Sequence, residues 1–236
     1  MQSPLTLPRK SLVGPTLFAI FGFALLMGLG TWQVQRLHWK EGLIAERNAA
    51  VTGLPIALPK TLDEARSEEF HHVRLDGKFL HGHEFDVHSM SKAGEDGFDA
   101  VTPFALARGG IVLVDRGFVP SGGMARPPPS GGGATGLARL YRGKPSYFTP
   151  DNRPEQNEWF YVDPAAMARA ASLAGVLPFY VDEDAGPDPT AYPIGGQTPL
   201  DLPNNHLQYA ITWYALAAAL VIYYILVVRR SRRGGT

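Results

Sequence analysis

Two stretches of this chain carry no charge: residues 12–31 (LVGPTLFAIFGFALLMGLGT) and residues 207–228 (LQYAITWYALAAALVIYYILVV). A bilayer core of about 30 Å takes about 20 helical residues, so each stretch has the length of a membrane span. The second is apolar all round, which does not suit a helix half-buried on a soluble core. The first is longer than the apolar region of a signal peptide and has no small-x-small cleavage site after it, so it reads as an uncleaved anchor. Everything between the two must then fold on one side of the membrane.

Charge predicts which side. All 22 acidic residues lie between the stretches, while Arg9, Lys10, Arg229, Arg230, Arg232 and Arg233 lie outside them. Residues 33–206 hold 16 basic and 22 acidic residues, net −6. Around the first stretch the basic residues are balanced, with Arg36, Lys40 and Arg47 facing Arg9 and Lys10. Around the second they are not: four arginines follow it, and no Lys or Arg lies between Ala170 and the stretch. The positive-inside rule therefore puts both termini in the cytoplasm and the large loop outside it. The N-terminus lacks an Arg- and Ser-rich amphipathic presequence, which points to a bacterial inner membrane with a periplasmic loop. Over the whole chain 22 basic residues balance 22 acidic ones, so nothing suggests a nucleic-acid partner. The absence of cysteine excludes disulfides, thiolate metal sites, iron–sulfur clusters and a cysteine nucleophile.

The expected fold is a membrane protein in which two transmembrane helices flank one exoplasmic, β-rich α+β domain. The expected segments are a cytoplasmic N-terminus (1–11), helix 1 (12–31), a helical extension (32–49), the β-rich domain (50–185), a Pro/Gly-rich tether (186–206), helix 2 (207–228) and a basic cytoplasmic tail (229–236). Within the domain, 73–80 alternates around a turn at Asp76-Gly77, and 85–90 is a second strand. Residues 98–106 and 111–118 form a hairpin around Gly109-Gly110. Residues 137–142, 159–163 and 179–182 are further strands. Asp163-Pro164 opens a short helix as N-cap and first residue, and Gly175 closes it. Residues 121–136 form a Gly/Pro loop. In the spans, Gly28, Gly30 and an Ala215-x-x-x-Ala219 pattern would let the two helices approach closely, or let one lie against another membrane protein.

The residue that asks most for a role is His206, a polar ring at the mouth of the second stretch. Neutral imidazole ligates haem iron and other metals. On a helix, Tyr209, Ala210 and Trp213 share its face, a small residue between two rings and a possible shelf for a planar ligand. Asn204 or Asn205 would cap the helix. The alternative is that His206, Tyr209 and Trp213 are interfacial anchors. Antiparallel spans would bring Trp32 and Gln33 close to His206. Five further histidines lie at 71, 72, 81, 83 and 88, with His81 and His83 on one face of a strand and Met90 nearby. That set suits an exoplasmic copper or zinc site, or a solvated group of loop histidines. No Gly-x-Ser-x-Gly, P-loop or His-Glu-x-x-His pattern is present. Asp115 and Arg116 face opposite sides of a strand and make no catalytic pair. No catalytic residue is assigned, and an enzyme is not expected.

Four stretches together resemble the surfeit locus protein 1 family of cytochrome c oxidase assembly factors. They are Leu29-Gly30-Thr31-Trp32-Gln33-x-x-Arg36, Val114-Asp115-Arg116-Gly117-Phe118-Val119-Pro120, residues 152–163 (NRPEQNEWFYVD), and Asn204-Asn205-His206-Leu207-Gln208-Tyr209-Ala210-x-Thr212-Trp213-Tyr214. The family often has Trp at the positions of Phe118 and Tyr161, and both changes keep a ring. The resemblance implies an assembly factor that binds haem a, takes it from haem a synthase and assists its insertion into subunit I of a haem–copper oxidase. It also makes His206 the ligand of the haem iron; Tyr209 and Trp213 on its helix face, and Trp32 and Gln33 across the antiparallel spans, are then the residues expected around the cofactor. The competing expectations are a cofactor-free scaffold for oxidase intermediates and a copper-handling protein using His81, His83, His88 and Met90.

Overall fold

A computed structural model describes residues 12–123, 132–200 and 202–233. The expectations for the N-terminus at 1–11, the middle of the Gly/Pro loop and the last three residues of the tail lie outside the described residues. The chain divides into two compact units, one made of its two ends and one of residues 46–200.

The first unit is a helix pair. Helix α1 (Val13–Thr52) runs unbroken past the end of the apolar stretch and on beyond this unit, and α4 (His206–Arg233) closes the chain. Both are long and apolar enough to cross a membrane. The helices run antiparallel. Thr16 Oγ1 meets Tyr224 Oη at 2.7 Å, Gly22 faces Leu220, and Thr31 Oγ1 lies 3.3 Å from Tyr214 Oη. The less exposed positions of α4 include 206, 210, 213, 217, 220, 224 and 227, with 214 and 228 beside them. That alternation of four and three is the seam of a left-handed pair. The seam explains which small residues matter. Ala210 and Ala217 are buried, whereas Ala215, Ala218 and Ala219 face outward, so the Ala215-x-x-x-Ala219 pattern is not the packing face. Gly28 faces open space, while a Cβ on Gly30 would lie 2.6 Å from the Tyr214 ring.

The second unit is a small barrel. Its strands are β1 (Ile56–Ala57), β2 (His72–Phe79), β3 (Phe85–Met90), β4 (Asp96–Leu106), β5 (Ile111–Pro120), β6 (Gly133–Leu140) and β7 (Val176–Glu183). The order is β1-β2-β6-β7-β5-β4-β3, and a further β2–β4 pairing closes the five inner strands on themselves. Closure depends on Gly77. Residues 72–76 of β2 pair with β6, and residues 77–79 pair with β4. A Cβ at Gly77 would sit 2.0 Å from the Ala105 carbonyl oxygen, so only glycine lets the two backbones cross this closely. Asp76-Gly77 is therefore not a turn; the strand continues and changes partner.

Alternation then sorts the side chains. Val73, Leu75, Phe104, Val112, Val114, Phe179 and Val181 fill the barrel. On the outer face, Val101 and Leu113 pack with Phe85, Val87, Trp159 and Met167 of the short helix α3 (Pro164–Ala170). Asp163 caps α3, its Oδ1 accepting from Ala166 N at 2.9 Å. The helix ends at Ala170, before Gly175, and the left-handed residue after it is Ser172. Trp159 is fully buried, but 159–163 is no strand; its backbone bridges to the sheet between Trp159 and Val87, and its side chains pack on it. Another short helix, α2 (Leu62–Ser67), carries a Thr61-x-x-Glu64 cap in which Thr61 Oγ1 accepts from Glu64 N. The proline-rich stretch after β7 is not a free tether as far as residue 198. Ile194 exchanges backbone hydrogen bonds with Phe118, and Thr198 Oγ1 donates to Asp182 Oδ2 at 2.6 Å.

Candidate functional site

His206 is the first residue of α4, and it reaches across the helix pair. Its Nδ1 lies 2.7 Å from Oε1 of Gln33, so the two sequence-predicted residues are in direct contact. The donor and acceptor roles in this pair follow the tautomer of His206; with the amide oxygen toward the ring, the neutral tautomer that makes the bond carries its proton on Nδ1. Among the described residues Nε2 makes no hydrogen bond, and it is not enclosed. The contact follows from the seam: Gln33 and His206 occupy facing positions where the two helices come together, next to the close approach at Gly30.

The other predicted residues separate into two groups. Tyr209 is 53% exposed and Trp32 is 54% exposed, so neither ring is held by packing. Trp213 is partly buried. Ala210, expected as the floor of a shelf between two rings, is 2% exposed because it faces the helix interface. A flat shelf is therefore not formed; what is open is the His206 edge with Tyr209 at its side. Asn205 contributes its backbone carbonyl to Tyr209 N at 3.2 Å, and Asn204 Oδ1 is buried without a hydrogen-bond partner. Further along α1, the Arg36 guanidinium lies 3.9 Å from the Trp39 ring centroid, an arrangement suited to a headgroup region.

The domain histidines do not converge. His81 and His83 lie in a 3₁₀ turn rather than on one strand face. His88 stacks on Phe160 with ring centroids 4.9 Å apart, and His72 Nε2 meets the Asp184 carboxylate at 2.7 Å. Among the described residues no group of three His, Asp or Glu is placed to hold a metal ion.

One set of titratable groups escaped sequence reasoning. Asp99, Asp115 and Asp182 lie on β4, β5 and β7, with Asp115 and Asp182 in register. Burial pushes Asp99 up to about 6, aided by the charge of Asp182. Burial and the charges of Asp99 and Asp182 hold Asp115 well above the usual carboxylate range. Asp182 is raised by burial against the opposing pull of Arg139, with which it forms an ion pair. The signal in sequence was weak, because the three acids lie far apart and only the pairing of β5 with β7 brings them together. On the opposite face of β5, Arg116 is buried and donates to Glu84 Oε1 at 2.9 Å, a structural ion pair.

Comparison with known proteins gives a consistent answer. The family model described as SURF1 family matches residues 20–218. Surfeit locus protein 1 of Mus musculus is 37% identical over 230 residues, covering 88% of this chain and 74% of its own length. Surfeit locus protein 1 of Homo sapiens is 36% identical over 214 residues, covering 81% and 70%. A SURF1-like protein of Monosiga brevicollis is 36% identical over 224 residues, covering 86% and 84%. The match runs from within α1, through the whole barrel, into α4, and takes in both partners of the Gln33–His206 contact; this chain belongs to the SURF1 family.

Proposed function

We propose that this protein is an integral membrane assembly factor for a haem–copper cytochrome c oxidase. It binds haem a at His206 and assists its insertion into subunit I, receiving it from haem a synthase. It carries out no covalent chemistry of its own. The observation that carries the reading is the His206–Gln33 contact, which fixes one ring nitrogen and leaves the other open at the start of an apolar helix. Haem is the cargo here, and its iron supplies the open coordination positions. The chain supplies one imidazole, exposed rings at Tyr209 and Trp32, and apolar helix surface where a long hydrocarbon tail stays out of water. A single axial ligand suits handover better than storage. Both helices span the membrane, with the termini in the cytoplasm and the barrel on the exoplasmic side, the periplasm in a bacterium.

A second reading, a cofactor-free scaffold, draws on the outward-facing Ala215, Ala218 and Ala219, which present small residues to a further helix. One experiment separates the two. Full-length protein is purified from cells making haem a, and its absorption spectrum is compared with that of His206→Leu. Leu keeps bulk and lets the helix insert, but removes the ligand nitrogen. Loss of the haem a bands with normal membrane insertion is expected. A full complement of haem a with an unchanged spectrum would leave the scaffold reading as the better one.

A further inference from the structure

We infer that Gln33 sets the tautomer of His206, holding the ring proton on Nδ1 so that Nε2 presents its lone pair outward. The functional weight of this rests on the haem-ligand reading above; the tautomer itself does not.

Neutral histidine has two tautomers, and the choice is made by what the other nitrogen bonds. At 2.7 Å from Nδ1, Gln33 Oε1 is an acceptor with nothing to donate, and among the described residues Nε2 has no competing partner. Free imidazole side chains in water prefer the opposite tautomer, with the proton on Nε2. In that form Nε2 has no lone pair to give. Gln33 therefore does more than hold the ring in place: it converts His206 from a form that cannot ligate through Nε2 to one that can. The geometry is enforced from both sides. Gln33 sits on the α1 seam three residues beyond Gly30, whose lack of a side chain admits the Tyr214 ring, and His206 begins α4 one turn before buried Ala210. Gln33 is thus a positioning residue. Outer partners of this kind typically change metal affinity by about 10–100-fold when removed.

The test uses the full chain in detergent or nanodiscs, without haem, uniformly labelled with ¹⁵N-histidine. The His206 signals are assigned by their disappearance in His206→Leu. Wild type should show a protonated Nδ1 and an unprotonated Nε2. Gln33→Glu, whose carboxylate is acceptor-only, should show the same pattern. Gln33→Leu should shift the population toward the proton on Nε2. With haem bound, ferrous iron–histidine stretching should rise in Gln33→Glu and fall in Gln33→Leu, with binding about 10–100-fold weaker in the latter. A wild-type pattern with the proton on Nε2, or one that differs from Gln33→Glu, overturns the inference even if Gln33→Leu fails to fold. An unchanged pattern in folded Gln33→Leu does the same. If the tautomer is as stated but His206→Leu keeps its haem, the haem reading fails and the tautomer inference stands.

Discussion

The acids Asp99, Asp115 and Asp182 show how one residue's environment sets a property of the whole barrel. Asp99 has a folded-state pKa of about 6, and burial is the main cause. In the unfolded chain it ionises near its ordinary value of 3.8. Between those two values the folded state holds a proton that the unfolded state has lost, so stability falls as pH rises through that window. Above it the penalty is constant; below it the penalty vanishes. Asp99→Asn keeps an acceptor for Ser89 and removes the charge. It should stabilise the protein by about 1–2 kcal/mol near pH 7.5, a value reduced for partial exposure, with the gain fading toward pH 4. Thermal unfolding of both proteins at several pH values checks this, and an equal gain at all pH values would show that the charge is not the cause. No local pattern in the sequence shows this cluster, since strand pairing creates it. His206 and Gln33, by contrast, were legible. A histidine at the mouth of an apolar helix is unusual in itself, and two antiparallel spans must place residue 33 near residue 206.

Among the elements, what was legible is what depends on local chemistry. The cap at Asp163, the glycine turn at 109–110 and the two apolar helices are written in contiguous residues. What failed depends on a partner. Gly77 marks a change of strand partner rather than a turn, because a glycine before a bend and a glycine at a close crossing look the same in one dimension. The alanines of α4 leave a similar choice open: four-residue spacing identifies a stripe but not whether it faces α1 or a further helix, and here Ala215 and Ala219 face away from α1. The Thr61-x-x-Glu64 cap is likewise written in contiguous residues. The helix pair can be tested cleanly because the chain has no cysteine. Cysteines introduced as Gly22→Cys and Leu220→Cys should cross-link on mild oxidation, since a Cβ at Gly22 lies 3.0 Å from the end of the Leu220 side chain. Adding Gly30→Leu should reduce the yield severalfold by displacing Tyr214. Equal cross-linking from a pair one residue out of register would show that the seam is not fixed.

For the whole molecule, the division at residues 46 and 200 makes a strong statement about independence. The barrel has its own closed set of strands and its own filled interior. A fragment of residues 46–200 should therefore be soluble, give a β-rich circular dichroism spectrum and unfold cooperatively, yet bind no haem a, because Gln33 and His206 are both outside it. Haem binding by that fragment would move the site into the barrel and return the domain histidines to consideration. The β-rich character was readable from alternation. Its closure into a barrel was not, because closure is a pairing of strands separated by other strands.

The contact between Gln33 and His206 joins residues 173 positions apart, near opposite ends of the chain. During synthesis Gln33 is made early and waits through the whole barrel for its partner. The barrel needs residues up to Glu183 for its last strand, and His206 follows only after that. A chain interrupted anywhere in between has Gln33 without His206, so the link between the two helices is among the last contacts that synthesis allows.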